Sequence, residues 1–305
     1  MKSIFFKFLP VLVLSLMSSS CMYFGIIETN SSVGKKKQSI DEKVVISQKI
    51  PFVGILYYPY LYKKKPHPIA TAVPDYSSWH NTRMLRDLER MGGAEIDAVI
   101  TTFCIEDIFD KKISDRYLKF IELAGSQKFY PRVSFLVDSK NADDTQIHQF
   151  LQWCLKQNIM SKKGFFNYKG RPLIIFKNVS ETTDIFHPAF TIRKIGTKRS
   201  DWSLRTTIDP QKLQLYAKKE QGIVYTSFQK NGNWLIDRDW RGREFKNFFR
   251  KTVALHPDIL LIASWNDYEN GAFAEPNSMD ENTMYDRLCS EILRLKYPLK
   301  KSFLW

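Results

Sequence analysis

No Gly-x-Gly-x-x-Gly follows an early strand-like run, and Gly-x-x-x-x-Gly-Lys is absent from the chain. The tight glycine turn and backbone amides that cradle a nucleotide's phosphates are therefore missing, which argues against a phosphate-cradling nucleotide fold. Cysteine is scarce: four residues, Cys21, Cys104, Cys154 and Cys289, stand far apart. Such spacing gives neither a disulfide framework nor a metal knuckle, and the five histidines show no paired ligand spacing either. No metal and no cofactor is expected. Cys104 falls in an apolar strand-like run and Cys154 in a helix-like one, so both are expected as buried free thiols. A long hydrophobic run is also lacking. The apolar stretch at 8–17 is too short to span a bilayer. Without internal repeats, a solenoid is excluded.

What is present is enough to build a large core: 305 residues, 44% hydrophobic and 14% aromatic. Lys plus Arg exceeds Asp plus Glu by 46 − 32 = +14, a balance that favours anionic surroundings. The clusters Lys35-Lys36-Lys37 and Lys63-Lys64-Lys65 lack the interleaved aromatics of a single-strand groove, so no nucleic-acid partner is expected. At the N-terminus, Lys2 and Lys7 flank the short apolar run, and Ser18-Ser19-Ser20 precede Cys21. This is the pattern of an export signal, residues 1–21, with Cys21 placed for lipidation and simple secretion as the alternative. Losing the two lysines would leave 44 − 32 = +12. Residues 22–50 are polar and without periodicity, a tether, and 51–305 form the domain. The expected location is the cell envelope, with the membrane as partner through a lipid anchor. The oligomeric state is not readable.

From Pro51 onward the hydrophobic period switches back and forth. Strands are expected at 52–58, 96–103, 130–137, 172–176, 190–195, 203–208, 222–228 and 259–263. Helices are expected at 79–91, 114–124, 142–157, 210–219, 245–253 and 279–295, and a polar loop with Trp234, Arg238, Trp240, Arg241 and Arg243 follows the seventh strand. Eight strands alternating with helices over one domain predict an α/β fold, the (β/α)8 TIM barrel. A doubly wound sheet is the runner-up.

The eighth strand ends in the chain's densest polar chemistry. Ile259-Leu260-Leu261-Ile262-Ala263 is followed by Ser264-Trp265-Asn266-Asp267-Tyr268-Glu269-Asn270-Gly271 and then Glu275-Pro276. Carboxylates, amides and flat aromatic faces are what a sugar site needs: proton transfer at the glycosidic bond, hydrogen bonds for hydroxyls, stacking for the ring. A strand-to-helix loop with acids near the next helix N-terminus is the blander reading.

These residues resemble the Ser-Trp-Asn-Glu-Trp-x-Glu-Gly and Ile-Glu-Pro signature of glycoside hydrolase family 99-like proteins, which include endo-α-mannosidases and WbsX-like proteins of polysaccharide clusters. The Asn266-Asp267-Tyr268 portion is also similar to glycoside hydrolase family 71. An early Tyr57-Tyr58-Pro59, Trp79, Ile96-Asp97, Lys169-Gly170-Arg171-Pro172 and Arg243 agree in order. The family's catalytic glutamates fall on Asp267 and Asn270, so the second carboxyl is replaced by an amide. The resemblance implies a retaining reaction in which the base assists attack by the sugar's own 2-hydroxyl. Asp267 is then the base and the adjacent Glu269 the acid, with Glu106 and Asp138 in reserve at other strand ends.

Tyr57, Tyr58, Glu106, Asp138, Trp234, Arg243, Trp265, Asn266, Tyr268, Asn270 and Glu275 complete the candidate substrate-binding set. Adjacent strand residues face opposite ways, so at most one of Tyr57 and Tyr58 can be a sugar platform. The expected partner is a polysaccharide, α-linked and mannose-containing under the resemblance. Two functions stay open: a glycosidase, or a non-catalytic glycan-binding or polysaccharide-assembly lipoprotein on the same barrel.

Overall fold

The computed structural model describes residues 50–59, 80–140, 142–180, 183–196, 201–203, 220–230, 233–236 and 242–298; at 228–230, 233–236 and 269 it describes the backbone alone. The chain divides after Ile46, and all of these residues belong to the second unit, Ser47–Trp305. The signal segment with Cys21, the tether up to 49, the 203–208 strand beyond Ser203, the 210–219 helix, Arg238, Trp240 and Arg241 lie outside the described residues.

Seven parallel strands carry the fold: β1 (Phe52–Tyr57), β2 (Ala98–Cys104), β3 (Arg132–Asp138), β4 (Arg171–Lys177), β5 (Thr191–Ile195), β6 (Gln221–Tyr225) and β7 (Ile259–Ala263). They lie side by side in the order β5-β4-β3-β2-β1-β7-β6. The last strand thus joins the first, with Phe52 opposite Ile259, and the others follow in chain order. A doubly wound sheet would reverse direction at a switch point, whereas this order, with the last strand beside the first, is that of a curled α/β half-barrel. Among the described residues no strand joins β5 to β6; the bridge from Ile195 to Trp202 starts toward that gap.

Period-two burial sorts the strand side chains into two apolar layers. Val53, Ile55 and Tyr57 of β1 and Leu260 and Ile262 of β7 pack with the helices. Leu56, Ala98, Ile100, Leu136, Ile175, Leu261 and Ala263 form a separate cluster on the other face. Both faces being buried explains why these strands read as unbroken apolar runs. Gly54 belongs to the second layer, where an added Cβ would stand 3.0 Å from Leu261 Cδ2.

Helices α1 (Asn81–Gly93), α2 (Lys111–Ser126), α3 (Asp144–Lys156), α4 (Arg243–Val253) and α5 (Thr283–Lys296) return the chain between strands. Asp110 caps α2 by accepting from the Lys112 and Ile113 amides at 2.8 and 3.2 Å. Asp143 and Gln146 form a capping box on α3, at 2.8 and 3.0 Å.

Three expectations need correction. The seventh strand stops at Tyr225, and the chain resumes as a hairpin, Phe228–Lys230 with Asn233–Ile236, where a loop was expected. The Asn231-Gly232 pair between its arms is the usual hairpin signal. Cys104 is exposed, because β2 ends on it, whereas Cys154 is buried inside α3. Tyr57 belongs to the helix-facing core and has no exposed surface, so its ring cannot stack on a sugar.

Candidate functional site

In a parallel α/β barrel the loops after the strands converge on one end, held by rigid strands. Beyond β7 the chain turns through a cis Ala263–Ser264 peptide into a small hairpin, Asn266–Asp267 paired with Ala272–Phe273. A single 3-10 turn, Tyr268–Asn270, connects its arms, and Gly271 takes the left-handed conformation (φ 64°) that closes it. Ser264 Oγ donates to the Ala272 carbonyl and accepts from the Asp267 amide at 2.9 Å. Just past the end of β6, Ser227 Oγ donates to the Gly271 carbonyl. The loop is therefore fixed at its base and at its tip.

Asp267 caps the turn. Its Oδ1 accepts from the Asn270 amide N–H at 3.3 Å and its Oδ2 from the Asn270 side-chain amide at 2.8 Å. Only 7% of the residue is exposed. Donors aimed at a carboxylate favour its ionised form, the form a general base needs. At the end of β6, the Tyr225 hydroxyl is pushed up to about 12, first by burial and then by the Asp267 charge, which places the two side chains in electrostatic reach.

Three of the predicted site residues are internal braces. Asn266 is fully buried and grips the backbone of Tyr58 twice, accepting from its N–H and donating to its carbonyl, each at 2.8 Å. Trp265 has no exposed surface; its backbone N–H donates to Leu56, and its carbonyl accepts from Ala274 and Glu275. Glu275 is buried beneath the loop, 4.0 Å from Arg83 Nη2. Arg83 is held more closely by Asp87, at 3.0 Å, and Asp87 also accepts from the Tyr57 hydroxyl at 2.8 Å. Two carboxylates thus share one guanidinium. Burial, and then the charge of Asp87, push Glu275 up to about 8, against the pull of Arg83 and the Tyr268 hydroxyl. Trp265, Asn266 and Glu275 are all buried: the Asn266 amide is taken up by Tyr58, while the Trp265 indole Nε1 has no hydrogen-bond partner among the described residues.

Tyr58, half-buried past the end of β1, is the member of the tyrosine pair that does not enter the core. Tyr268 packs on Phe273 with ring centroids 4.5 Å apart, so the floor of the turn is apolar. Across the ends of β2, β3 and β4, Glu106 is exposed and Asp138 half-buried, with Asn178 Nδ2 donating to Asp138 Oδ1 at 2.9 Å. Cys104 lies opposite Asp138 in the sheet. Burial first, then Asp107, Asp138 and Glu106, push its thiol up to about 11. Asp107 is raised by burial, while the Cys104 N–H and the Tyr117 hydroxyl act to lower it.

The other predicted residues divide as follows. Arg243 is exposed at the first position of α4, behind Gly242. Glu269 has its backbone in the 3-10 turn and Trp234 in the hairpin after β6, while both side chains lie outside the described residues. Asp267 and Asn270 meet, and Glu106 and Asp138 share the surroundings of Cys104. Arg83, Asp87, Tyr225, Ser227 and Ser264 were not singled out from sequence. The Arg83/Asp87 spacing of four on a helix was the available signal, but it reads equally as a surface pair.

No protein-family model matches the chain, and no curated protein matches it. Solved structures do. The chain is similar to the family 99 endo-alpha-mannosidase from Bacteroides thetaiotaomicron in complex with BIS-TRIS-propane, with TM-score 0.64 and 12% identity over 80% of this chain and 97% of that one. A second structure of the endo-alpha-mannosidase from that organism gives 0.62 and 12% over 80% and 97%. A glycoside hydrolase-like protein gives 0.55 and 11% over 79% and 93%. At such identities the likeness establishes a shared fold, and chemistry must be argued from the site.

Proposed function

We propose that the chain is a glycoside hydrolase-like protein acting on an α-linked, mannose-containing glycan at the ends of β1, β2, β3, β6 and β7. The curled sheet closes into a full (β/α)8 barrel. One observation carries the reading: Asp267 is a nearly buried carboxylate, held by Asn270 at the end of the strand that joins the first to the sixth. The shared fold with an endo-alpha-mannosidase supports it. Asp267 acts as base, taking the proton of the attacking sugar hydroxyl. Glu269 supplies the proton to the leaving oxygen, and Tyr58, Glu106 and Asp138 contact the sugar. The protein is exported to the cell envelope and anchored through Cys21.

A second reading, glycan binding without cleavage, is favoured by Asn270, whose amide occupies the position of the signature's second glutamate and already serves Asp267. Release of reducing ends from α-mannans, α-glucans and envelope polysaccharides separates the two. Under the first reading Asp267→Asn and Glu269→Gln each lower the rate by about 10²–10⁴-fold, the usual scale for proton-transfer groups. Saturable binding with no cleavage, unchanged in both variants, establishes the second.

A further inference from the structure

We propose that the opposite end of the barrel, where the strands begin and the helices end, is a docking surface for an anionic lipid bilayer. Six of the nine large apolar side chains exposed among the described residues gather there: Ile50, Phe52, Phe129, Met160, Leu293 and Tyr297, each 41–61% exposed. Phe52 opens β1, with its ring 5.6 Å from Phe166. Phe129 follows α2 and lies against Gly92 at the end of α1. Met160 follows α3, and Leu293 and Tyr297 stand in and beyond the last turn of α5. The Tyr297 hydroxyl reaches Glu95, just ahead of β2, at 3.3 Å. These side chains share one end of the fold although they come from four places in the chain.

Cations are interleaved with them. Lys128 adjoins Phe129, Lys163 follows Met160 by three residues, Arg294 adjoins Leu293, and Lys251 stands in the last turn of α4; all four are exposed. Positive side chains near helix C-termini are expected from the helix dipole alone. The dipole does not explain aromatic and aliphatic side chains left in water between them, whereas an interfacial surface has that composition. Three acids at this end are paired with cations: Asp97 with Lys296 at 2.7 Å, Glu220 with Arg193 at 2.7 Å, and Glu291 with Arg250 at 2.9 Å. A cavity of about 520 Å³ opens here between α4 and α5, lined by Ile50, Phe249, Val253, His256, Arg294 and Leu295. Excess positive charge across the chain, +14, complements an anionic headgroup layer. Docked in this way, the protein presents the Asp267 end to the surroundings whichever chemistry that end performs.

The test is co-sedimentation of the full chain with vesicles of phosphatidylglycerol and phosphatidylcholine, against pure phosphatidylcholine. Each lysine near an anionic surface contributes about five-fold to partitioning, so a Lys128→Glu/Lys163→Glu/Lys251→Glu variant loses about a hundred-fold or more on the mixed vesicles. A control of equal charge at the other end, Lys111→Glu/Lys112→Glu/Lys140→Glu, loses far less. Equal losses, no loss in the first variant, or indifference to phosphatidylglycerol overturn the proposal. Hydrogen exchange on the bound chain reads orientation even where the N-terminal segment holds the protein on the vesicle. Protection at 127–130, 160–163 and 293–298 supports the proposal, and protection at 104–110 and 266–271 instead refutes it.

Discussion

Glu275→Gln should be nearly neutral in mild acid and stabilising in alkali. Glu275 is buried, and the Arg83 guanidinium stands 4.0 Å away while bonded to Asp87 at 3.0 Å. Its folded pKa is about 8 against 4.5 for the free group, so the native protein keeps a proton that the unfolded chain releases. Between those values folding takes up a proton, and stability falls by about 1.4 kcal/mol per pH unit. Over the 4.5 to 8 interval the ceiling is on the order of 5 kcal/mol, reduced by whatever share of the proton Asp87 takes. Glutamine has the shape of the protonated acid and nothing to lose. Guanidinium denaturation of both proteins at about pH 4.5 and about pH 9 reads the effect: near-equal midpoints at the lower pH, a higher midpoint for Glu275→Gln at the upper. Parallel pH profiles would refute the reasoning. So would a loss of stability at both pH values, which would mean an ionised Glu275 paired with Arg83.

Asn266→Ala removes both bonds to the Tyr58 backbone and should cost about 2–4 kcal/mol in guanidinium denaturation. Gly164→Ala puts a methyl group onto the Ile121 carbonyl and the Gly125 amide, so soluble, folded protein should fall sharply in expression trials. Cys104, with its thiol raised from 9 to about 11, should react with iodoacetamide about a hundred-fold more slowly near neutral pH than an ordinary exposed cysteine; Asp138→Asn should speed that reaction, as read by mass spectrometry.

Much of the scaffold is legible in the sequence because both faces of the sheet are buried. Ile259–Ala263 has no polar face to blur its boundaries, and every residue in it is buried. The hairpin after β6 was harder to read, since Trp234 and its polar neighbours look like loop until the Asn231-Gly232 pair is weighed. The polar run does follow β7, but what its side chains touch was not legible in it. An amide that grips a backbone, as Asn266 does, and an amide that grips a sugar have the same one-letter appearance. Burial separates them, and burial of a loop is decided by distant partners: Tyr58 for Asn266, Arg83 for Glu275. Such partners are more than 190 residues away in the chain, beyond the reach of any local pattern.

The most direct test of the site's location is a glycan footprint by hydrogen exchange, using an α-mannan oligosaccharide and the Asp267→Asn protein so that the ligand is not consumed. Slowed exchange at 264–275, with Tyr58 and the ends of β2 and β3, is the predicted result. Slowed exchange confined to the helices, or to the end where the strands begin, would contradict it.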